Sequence, residues 1–250
     1  MIEIKNISIE TPRRVKILHE TSMQLANGQL NVVIGPNGSG KTTLLKTMVG
    51  LLQPTQGRIF CDTSPIKSLT PKAIASHMSY VGSEHSNPFS YTVEDIILWG
   101  RWHHHQGHPT YKDRVAAKNA AQSLGIEHLF ARTFNTLSLG EQKKTHLAKS
   151  LSSDVQHYVW DEPLAPLDIR ASLELMVLAR SLVRTGRLIV VSLHDIPLAL
   201  RYADSLSILE NGKITWQGIP SDPSCLLAIQ KVFGVTINER QGSQINITQT

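Results

Sequence analysis

The stretch Gly35-Pro36-Asn37-Gly38-Ser39-Gly40-Lys41-Thr42 fits the pattern G-x-x-x-x-G-K-[ST] and decides the reading of the whole chain. Its flanks suit that pattern. Leu30-Asn31-Val32-Val33-Ile34 reads as a short buried strand running into Gly35, and Thr43-Leu44-Leu45-Lys46-Thr47-Met48 reads as a helix leaving the loop. Glycines let the backbone curl so that consecutive N–H groups point inward at phosphate oxygens. The helix that follows sets its positive N-terminal end against the same anion. Lys41 can reach the β- and γ-phosphates, and the Thr42 hydroxyl can bind Mg²⁺. A chance glycine turn explains none of this context. Strand, loop and helix in sequence point to a nucleotide held by Gly35, Pro36, Asn37, Gly38, Ser39, Gly40, Lys41, Thr42 and Thr43.

Working outward, 250 residues suit one large α/β domain or a core with an inserted subdomain. Apolar residues make up 41% and charged residues 18%, as in soluble globular proteins. No apolar run approaches the roughly 18 residues that span a bilayer. Met1-Ile2-Glu3-Ile4-Lys5 alternates like a strand and has no signal-peptide core. Two cysteines, Cys61 and Cys225, make no disulfide framework and point to a reducing cytosol. A net charge of +5 argues for neither nucleic acid nor membrane by itself.

Ile2, Ile4, Ile7 and Ile9 alternate with a slip after Ile4, which predicts a strand with a bulge. Asn27-Gly28 predicts a hairpin turn, Gly57 to Cys61 a strand, and Met78 to Val81 a central strand. Thr70-Pro71 is a helix start. Thr92-Val93-Glu94-Asp95 opens another helix with an acidic first turn, Tyr111 to Leu124 a further one ended by Gly125, and Thr136 to Leu151 a third. Strand patterning returns at Gln156 to Trp160 and at Arg187 to Leu193, with an amphipathic helix from Asp168 to Arg184 between them. Ser205 to Glu210 and Lys213 to Gln217 flank Asn211-Gly212 as a hairpin. The expected fold is α/β, with a mostly parallel sheet, an N-terminal antiparallel β region and an inserted helical subdomain. The core is expected at residues 1–85 and 154–238, the helical subdomain at about 86–153, and a frayed polar tail at 239–250.

Trp160-Asp161-Glu162-Pro163 follows an apolar strand. A carboxylate at a strand end opposite a phosphate loop can hold Mg²⁺, and Asp161 fits that role. Glu162 can point beyond the γ-phosphate and orient or deprotonate a water. The alternative is an ordinary acidic strand exit. Ser138 in Leu137-Ser138-Leu139-Gly140-Glu141-Gln142 is a natural helix N-cap. It can also aim its hydroxyl, the backbone N–H groups and the helix dipole at an anion held by another subunit. His194, in Leu193-His194-Asp195, is a packed histidine or a hydrogen-bond partner of a γ-phosphate.

In this order the pieces resemble the ATP-binding cassette (ABC) ATPases, over Ile2 to about Val235, with a P-loop NTPase core. The most specific match is Leu137-Ser138-Leu139-Gly140-Glu141-Gln142 followed, about twenty residues on, by Trp160-Asp161-Glu162-Pro163. Ala165-Pro166-Leu167-Asp168 matches the loop ending in Leu-Asp, and His194 the switch histidine. The resemblance implies ATP and Mg²⁺ as ligands. It also implies a head-to-tail homodimer with two ATPs sandwiched between Lys41 of one subunit and Ser138 of the other; Gly140 and Asp168 are further expected ATP-binding residues. The stretch Tyr80 to Asp95, continuing to Gly100-Arg101, and Lys231-Val232-Phe233-Gly234-Val235 are similar to ATPase subunits of importers for iron–siderophore complexes, haem and vitamin B12. Such subunits sit on the cytoplasmic face of the membrane under a separate permease fed by a substrate-binding protein, and no nucleic acid is expected.

Three positions depart from the family pattern. Ser83 stands where a Mg²⁺-contacting glutamine is usual, so a water or Glu84 is expected to bridge to the metal. Leu139 replaces a glycine. No Phe, Trp or Tyr precedes Phe60 to stack on adenine, which leaves that role to Arg13 or Arg14. Ser83 to Phe89 and the helix after Thr92 are the expected permease-docking surface. The run Trp102-His103-His104-His105-Gln106-Gly107-His108 reads as a solvated loop, because no carboxylate or cysteine has metal-ligand spacing beside it. A soluble ABC protein and a weakly hydrolysing regulatory subunit are the rival readings. Repair-type members carry long coiled-coil insertions and translation-type members two cassettes, and this chain has neither.

Overall fold

A computed structural model describes residues 1–11, 13–82, 90–105, 107–240 and 244–249, the last two stretches by backbone alone from residue 237 onward. The expectations on Ser83 and Phe89 lie outside the described residues. The strands are β1 (Ile2–Glu10), β2 (Lys16–Leu25), β3 (Leu30–Ile34), β4 (Gln56–Cys61), β5 (Ser64–Pro65), β6 (Met78–Val81), β7 (His157–Trp160), β8 (Leu188–Ser192), β9 (Ser205–Glu210), β10 (Lys213–Gly218), β11 (Val235–Arg240) and β12 (Gln244–Gln249). The helices are α1 (Lys41–Met48), α2 (Pro71–His77), α3 (Val93–Trp99), α4 (Trp102–His105), α5 (Tyr111–Ser123), α6 (Leu139–Ser152), α7 (Ile169–Arg184), α8 (Ile196–Tyr202) and α9 (Pro223–Phe233).

A six-stranded sheet runs β10-β9-β3-β8-β7-β6, and all of its pairs are parallel except β9–β10. β3, β7 and β8 are buried on both faces, which is why they read as continuous apolar runs. A separate antiparallel sheet, β2-β1-β4-β5, is built on β1, whose register slips between Ile4 and Ile7 as its isoleucine spacing predicts. The core between the sheets packs Leu44, Leu45 and Met48 of α1 against Ile2, Ile4 and Ile7. On the other face of the six-stranded sheet, Leu175, Met176 and Ala179 of α7 cover Val32, Ile189 and Val191. The helical subdomain has its own core, in which Val93, Ile96 and Ile97 meet Ala117, Ala121 and Phe134. Its helices start on capping boxes, Thr92 with Asp95 and Thr110 with Asp113.

Three expectations are corrected. Met78–Val81 is the edge strand of its sheet, not a central one. Met78 and Val81 are buried and Ser79 and Tyr80 half-buried, so its four residues read alike at an edge or a centre. Asn27-Gly28 is a turn with Gly28 at φ 69°, yet it joins β2 and β3, which belong to different sheets, so it is no hairpin. The polar tail pairs β11 with β12 in an antiparallel ladder from Val235↔Gln249 to Arg240↔Gln244, where composition suggested fraying.

The parallel register sets one edge of the large sheet. Val33 pairs with Ser192, Val191 with Trp160, and Trp160 with Val81. The residues that leave these strands, Gly35, Gly82, Asp161 and His194, therefore emerge side by side at the carboxyl ends, where open α/β sheets hold their ligands.

Candidate nucleotide site

The loop from Gly35 to Gly40 needs its glycines. A Cβ on Gly35 would lie 2.1 Å from the Leu209 carbonyl oxygen, so only glycine lets the loop pass beside β9. Gly40 holds φ 103° as the N-cap of α1. It offers no side-chain cap, and no acidic residue sits in the first turn. The first intrahelical bond is Leu44 N–H to the Gly40 carbonyl at 2.8 Å. The N–H groups of Lys41, Thr42 and Thr43 therefore point out of the helix start, without an intrahelical acceptor. Ser39 Oγ, buried in the same loop, has no hydrogen-bond partner. Lys41 is buried, and its Nζ spans the loop to the carbonyls of Gly35 at 2.8 Å and Pro36 at 3.2 Å. Burial pulls its pKa below the ordinary lysine value, against the opposing pull of Glu162 and Asp161. A cradle of unclaimed donors around a buried ammonium fits a polyphosphate.

Asp161 is wholly buried and follows β7 directly. Ser192 Oγ–H donates to Asp161 Oδ1 at 2.6 Å and accepts the Glu162 N–H at 2.8 Å. Tyr80 Oη donates to Asp161 Oδ2 at 3.5 Å. Glu162 takes a left-handed backbone, φ 47°, that costs a non-glycine residue about 1–2 kcal/mol. That turn aims its side chain at His194, whose Nε2 lies 2.6 Å from Glu162 Oε1. An ionised carboxylate only accepts, so the imidazole donates from Nε2. The oxygen donors of Thr42 and Asp161 are of the hard type that Mg²⁺ prefers.

A second group of expected residues comes together elsewhere. Ser138, Gly140 and Asp168 line one cavity with Glu141, Lys144 and Pro166. Ser138 caps α6 through a reciprocal box: its Oγ accepts the Glu141 N–H at 3.3 Å, and its own N–H donates to Glu141 Oε2 at 2.8 Å. Asp168 caps α7 by accepting the Ala171 N–H at 2.8 Å. A Cβ on Gly140 would sit 3.1 Å from the Pro166 carbonyl oxygen. Leu139, the first residue of α6, is 74% exposed, so its bulk lies on the surface rather than inside the cavity. Arg13 belongs to neither group; it sits exposed in the turn between β1 and β2.

Two contributors escaped sequence reading. Ser192 closes an apolar strand, and only the parallel register sets it between Asp161 and Glu162. Lys143 is buried on α6 and donates from Nζ to the carbonyls of Gly82 at 3.0 Å and Asp161 at 3.3 Å. Burial lowers its pKa to about 8, against the pull of Asp161 and Glu162. Its signal was available: Lys143, Leu147 and Ser150 fall at helical spacing on the buried stripe of α6. The histidine run is not the solvated loop expected: Trp102–His105 form the short helix α4, and His104 and His105 lie against the carbonyls of Ser153 and Leu98. His103 and His104 stack at 3.9 Å, and the one cluster of mixed metal-ligating groups among the described residues lies elsewhere.

Comparison with known proteins agrees with this geometry. Residues 18–165 match the ABC transporter family profile. The petrobactin import ATP-binding protein YclP of Bacillus subtilis is 32% identical over 95% of this chain and 94% of its own length. The hemin import ATP-binding protein HmuV of Bradyrhizobium diazoefficiens is 32% identical, over 94% of this chain and 89% of its own. The dimeric ABC transporter cassette MJ0796 superposes with a TM-score of 0.81 at 22% identity, over 88% of this chain and 99% of that one, and carries the same fold. A profile match over more than half the length, together with relatives above 30% identity along nearly their full lengths, makes this chain a member of the ABC transporter family, as one of its ATP-binding ATPase cassettes.

Proposed function

We propose that the chain is the ATP-hydrolysing subunit of an importer that takes up a chelated metal or cofactor of the iron–siderophore, haem or cobalamin type through a separate membrane permease. The observation that carries the hydrolytic part is the 2.6 Å contact between Glu162 and His194 at the sheet edge that also carries the phosphate loop. The cargo class is supported by the petrobactin and hemin import proteins among the relatives.

In this reading the loop from Gly35 to Thr43 holds the phosphates through backbone N–H groups, and Lys41 neutralises them. Thr42 and Asp161 would hold Mg²⁺, which when bound offsets phosphate charge. Glu162 orients the attacking water and takes its proton. His194 keeps the Glu162 carboxylate in place and hydrogen-bonds the γ-phosphate once nucleotide arrives. Arg13 stacks on adenine: Gly40 abuts Ile17 and Leu18 of β2, so the turn leading into β2 flanks the loop. Ser138, Gly140 and Asp168 face the nucleotide held on Lys41 of a second copy. The head-to-tail dimer thus joins the two groups of residues that one copy keeps apart.

Docking to the permease is assigned to the cleft between core and helical subdomain. Tyr80, Trp99, Trp102, His103 and Lys149 line it. Trp99 and Trp102 are exposed there, and apolar rings on a surface suit a protein partner. No helix among the described residues is long and apolar enough to cross a membrane, in keeping with a peripheral subunit on the cytoplasmic face that meets the substrate-binding protein only through the permease. The test is reconstitution of the chain with its permease in vesicles. ATP-driven uptake of a ferric siderophore, haem or cobalamin is expected. Hydrolysis by a chain that recruits no permease and supports no uptake would favour the soluble rival.

A further inference from the structure

At the opposite end of the sheet from the phosphate loop, three groups of different chemistry converge from distant parts of the chain. Cys61 ends β4, Asp62 follows in a left-handed turn at φ 53°, and His157 opens β7. One ligating atom from each lies within 4.8 Å of the others. Cys61 Sγ is 3.5 Å from His157 Nδ1. That is about the separation two such ligands take on one tetrahedral ion, from Zn–S near 2.3 Å and Zn–N near 2.0 Å. Cys61 and His157 are buried, while the Asp62 side chain is 48% exposed. The pair is thus shielded, and the carboxylate stands at the entrance, with Oδ1 held by the N-terminal amine and Oδ2 3.9 Å from Cys61 Sγ.

The imidazole is oriented for ligation. His157 Nε2 lies 3.2 Å from Asn27 Oδ1, a carbonyl acceptor that favours the Nε2–H tautomer. The N-terminal amine, 3.4 Å from the same nitrogen, donates to Asn27 Oδ1 and Asp62 Oδ1. Nδ1 then presents its lone pair to Cys61, the outer-shell arrangement that metal-binding histidines use.

We infer that Cys61 Sγ, an oxygen of Asp62 and His157 Nδ1 form a binding site for a divalent ion of the zinc class, which ties the antiparallel sheet to the base of β7. Thiolate, imidazole and carboxylate together select a borderline ion over Mg²⁺ or Ca²⁺. Binding forms an S–metal bond and releases the Cys61 thiol proton to solvent; no redox step is involved. The fourth position is left to water.

Cobalt(II) is the probe. Titrated into the metal-stripped full chain, one equivalent should raise a thiolate-to-cobalt charge-transfer band that zinc then removes. Zinc at about a hundred times its Kd should raise Tm by roughly 5–10 °C. Cys61→Ser and His157→Gln should abolish the band. Asn27→Ala should weaken affinity about 10–100-fold. Cys225→Ser and a variant with His103, His104 and His105 all changed to Gln should keep the band, which separates the site from the other cysteine and the histidine run. If the buried variants fail to fold, the exposed Asp62→Ala decides, with loss of tight binding expected. Absence of the band, its survival in Cys61→Ser, or unchanged affinity in Asp62→Ala would mean a Cys61–His157 hydrogen bond and no metal site.

Discussion

Two helix starts in this molecule serve the same kind of ligand in the proposed function, and they are built differently. α1 begins at Gly40, with no side-chain cap and no acidic residue in its first turn. α6 begins at Ser138, with both halves of a capping box satisfied by Glu141. The first helix folds with open N–H groups and depends on an incoming anion to satisfy them. The second has its Ser138–Glu141 cap formed in the isolated chain, and Ser138 Oγ already donates to Glu141 Oε2 at 2.9 Å. One end is a receptor in waiting. In the proposed dimer the other would have to exchange an internal partner for an external one, so a smaller contribution to nucleotide binding, conditional on a second copy, is expected of it.

The strongest way to sharpen that contrast is Glu162→Gln. It keeps the shape of the γ-phosphate end and removes the base, so turnover should fall about 10²–10⁴-fold with ATP binding intact. A closed dimer should accumulate on ATP, visible by size-exclusion chromatography. Wild-type hydrolysis would remove Glu162 from its role. Lys41→Met attacks the open start directly. Hydrolysis should drop about 10²–10³-fold and ATP affinity should fall with it, whereas a variant with normal ATP affinity would show that the backbone cradle suffices.

Lys143 supplies the next test, through stability. Its folded pKa of about 8 lies below the ordinary 10.5. Between those values the unfolded chain holds the extra proton, so wild-type stability should rise with pH across that window and be lower below it. The integrated change is on the order of 3 kcal/mol. Lys143→Met should flatten it, as read by urea denaturation at pH 7.5 and 10. The same slope in wild type and variant would contradict the burial of this ammonium. Smallest is Ser138→Ala, which should cost about 0.5–2 kcal/mol of stability and, in the Glu162→Gln background, weaken the ATP-dependent dimer. The Ser138 N–H holds the Glu141 pKa below 4.5, so this part of the stability is present above that value and is lost as pH falls through the lowered one. A Ser138→Ala chain that dimerises normally would confine Ser138 to capping.

What was legible in the sequence was local. The phosphate loop, the Thr92 and Ser138 starts and the Asp161-Glu162 strand exit are each set by residues within a few positions of one another. The edge position of Met78–Val81 depends on which strand pairs with which, and no run of four residues encodes that. Asn27-Gly28 has hairpin chemistry, but the sheets on either side claim its two strands separately. Ser192 reaches Asp161 across 31 positions of chain, and Cys61 reaches His157 across 96. Such contacts belong to topology. Lys143 was missed for a different reason: a lysine beside Lys144 reads as a solvated face, and only its alignment with Leu147 marks it as inward.

The placement of Lys143 has a mechanical consequence. Ser138 and Lys143 lie within the first two turns of one helix, and the Lys143 ammonium grips the strand exits at Gly82 and Asp161 of its own chain. In the proposed dimer the tip of α6 touches the nucleotide of the other copy, while its anchor stands in its own site. A stiff rod held at one point and pushed at its end acts as a lever. A push at Ser138 would then reach the backbone beside Asp161 and Glu162, so the two sites of such a dimer would share a common clock instead of keeping separate time.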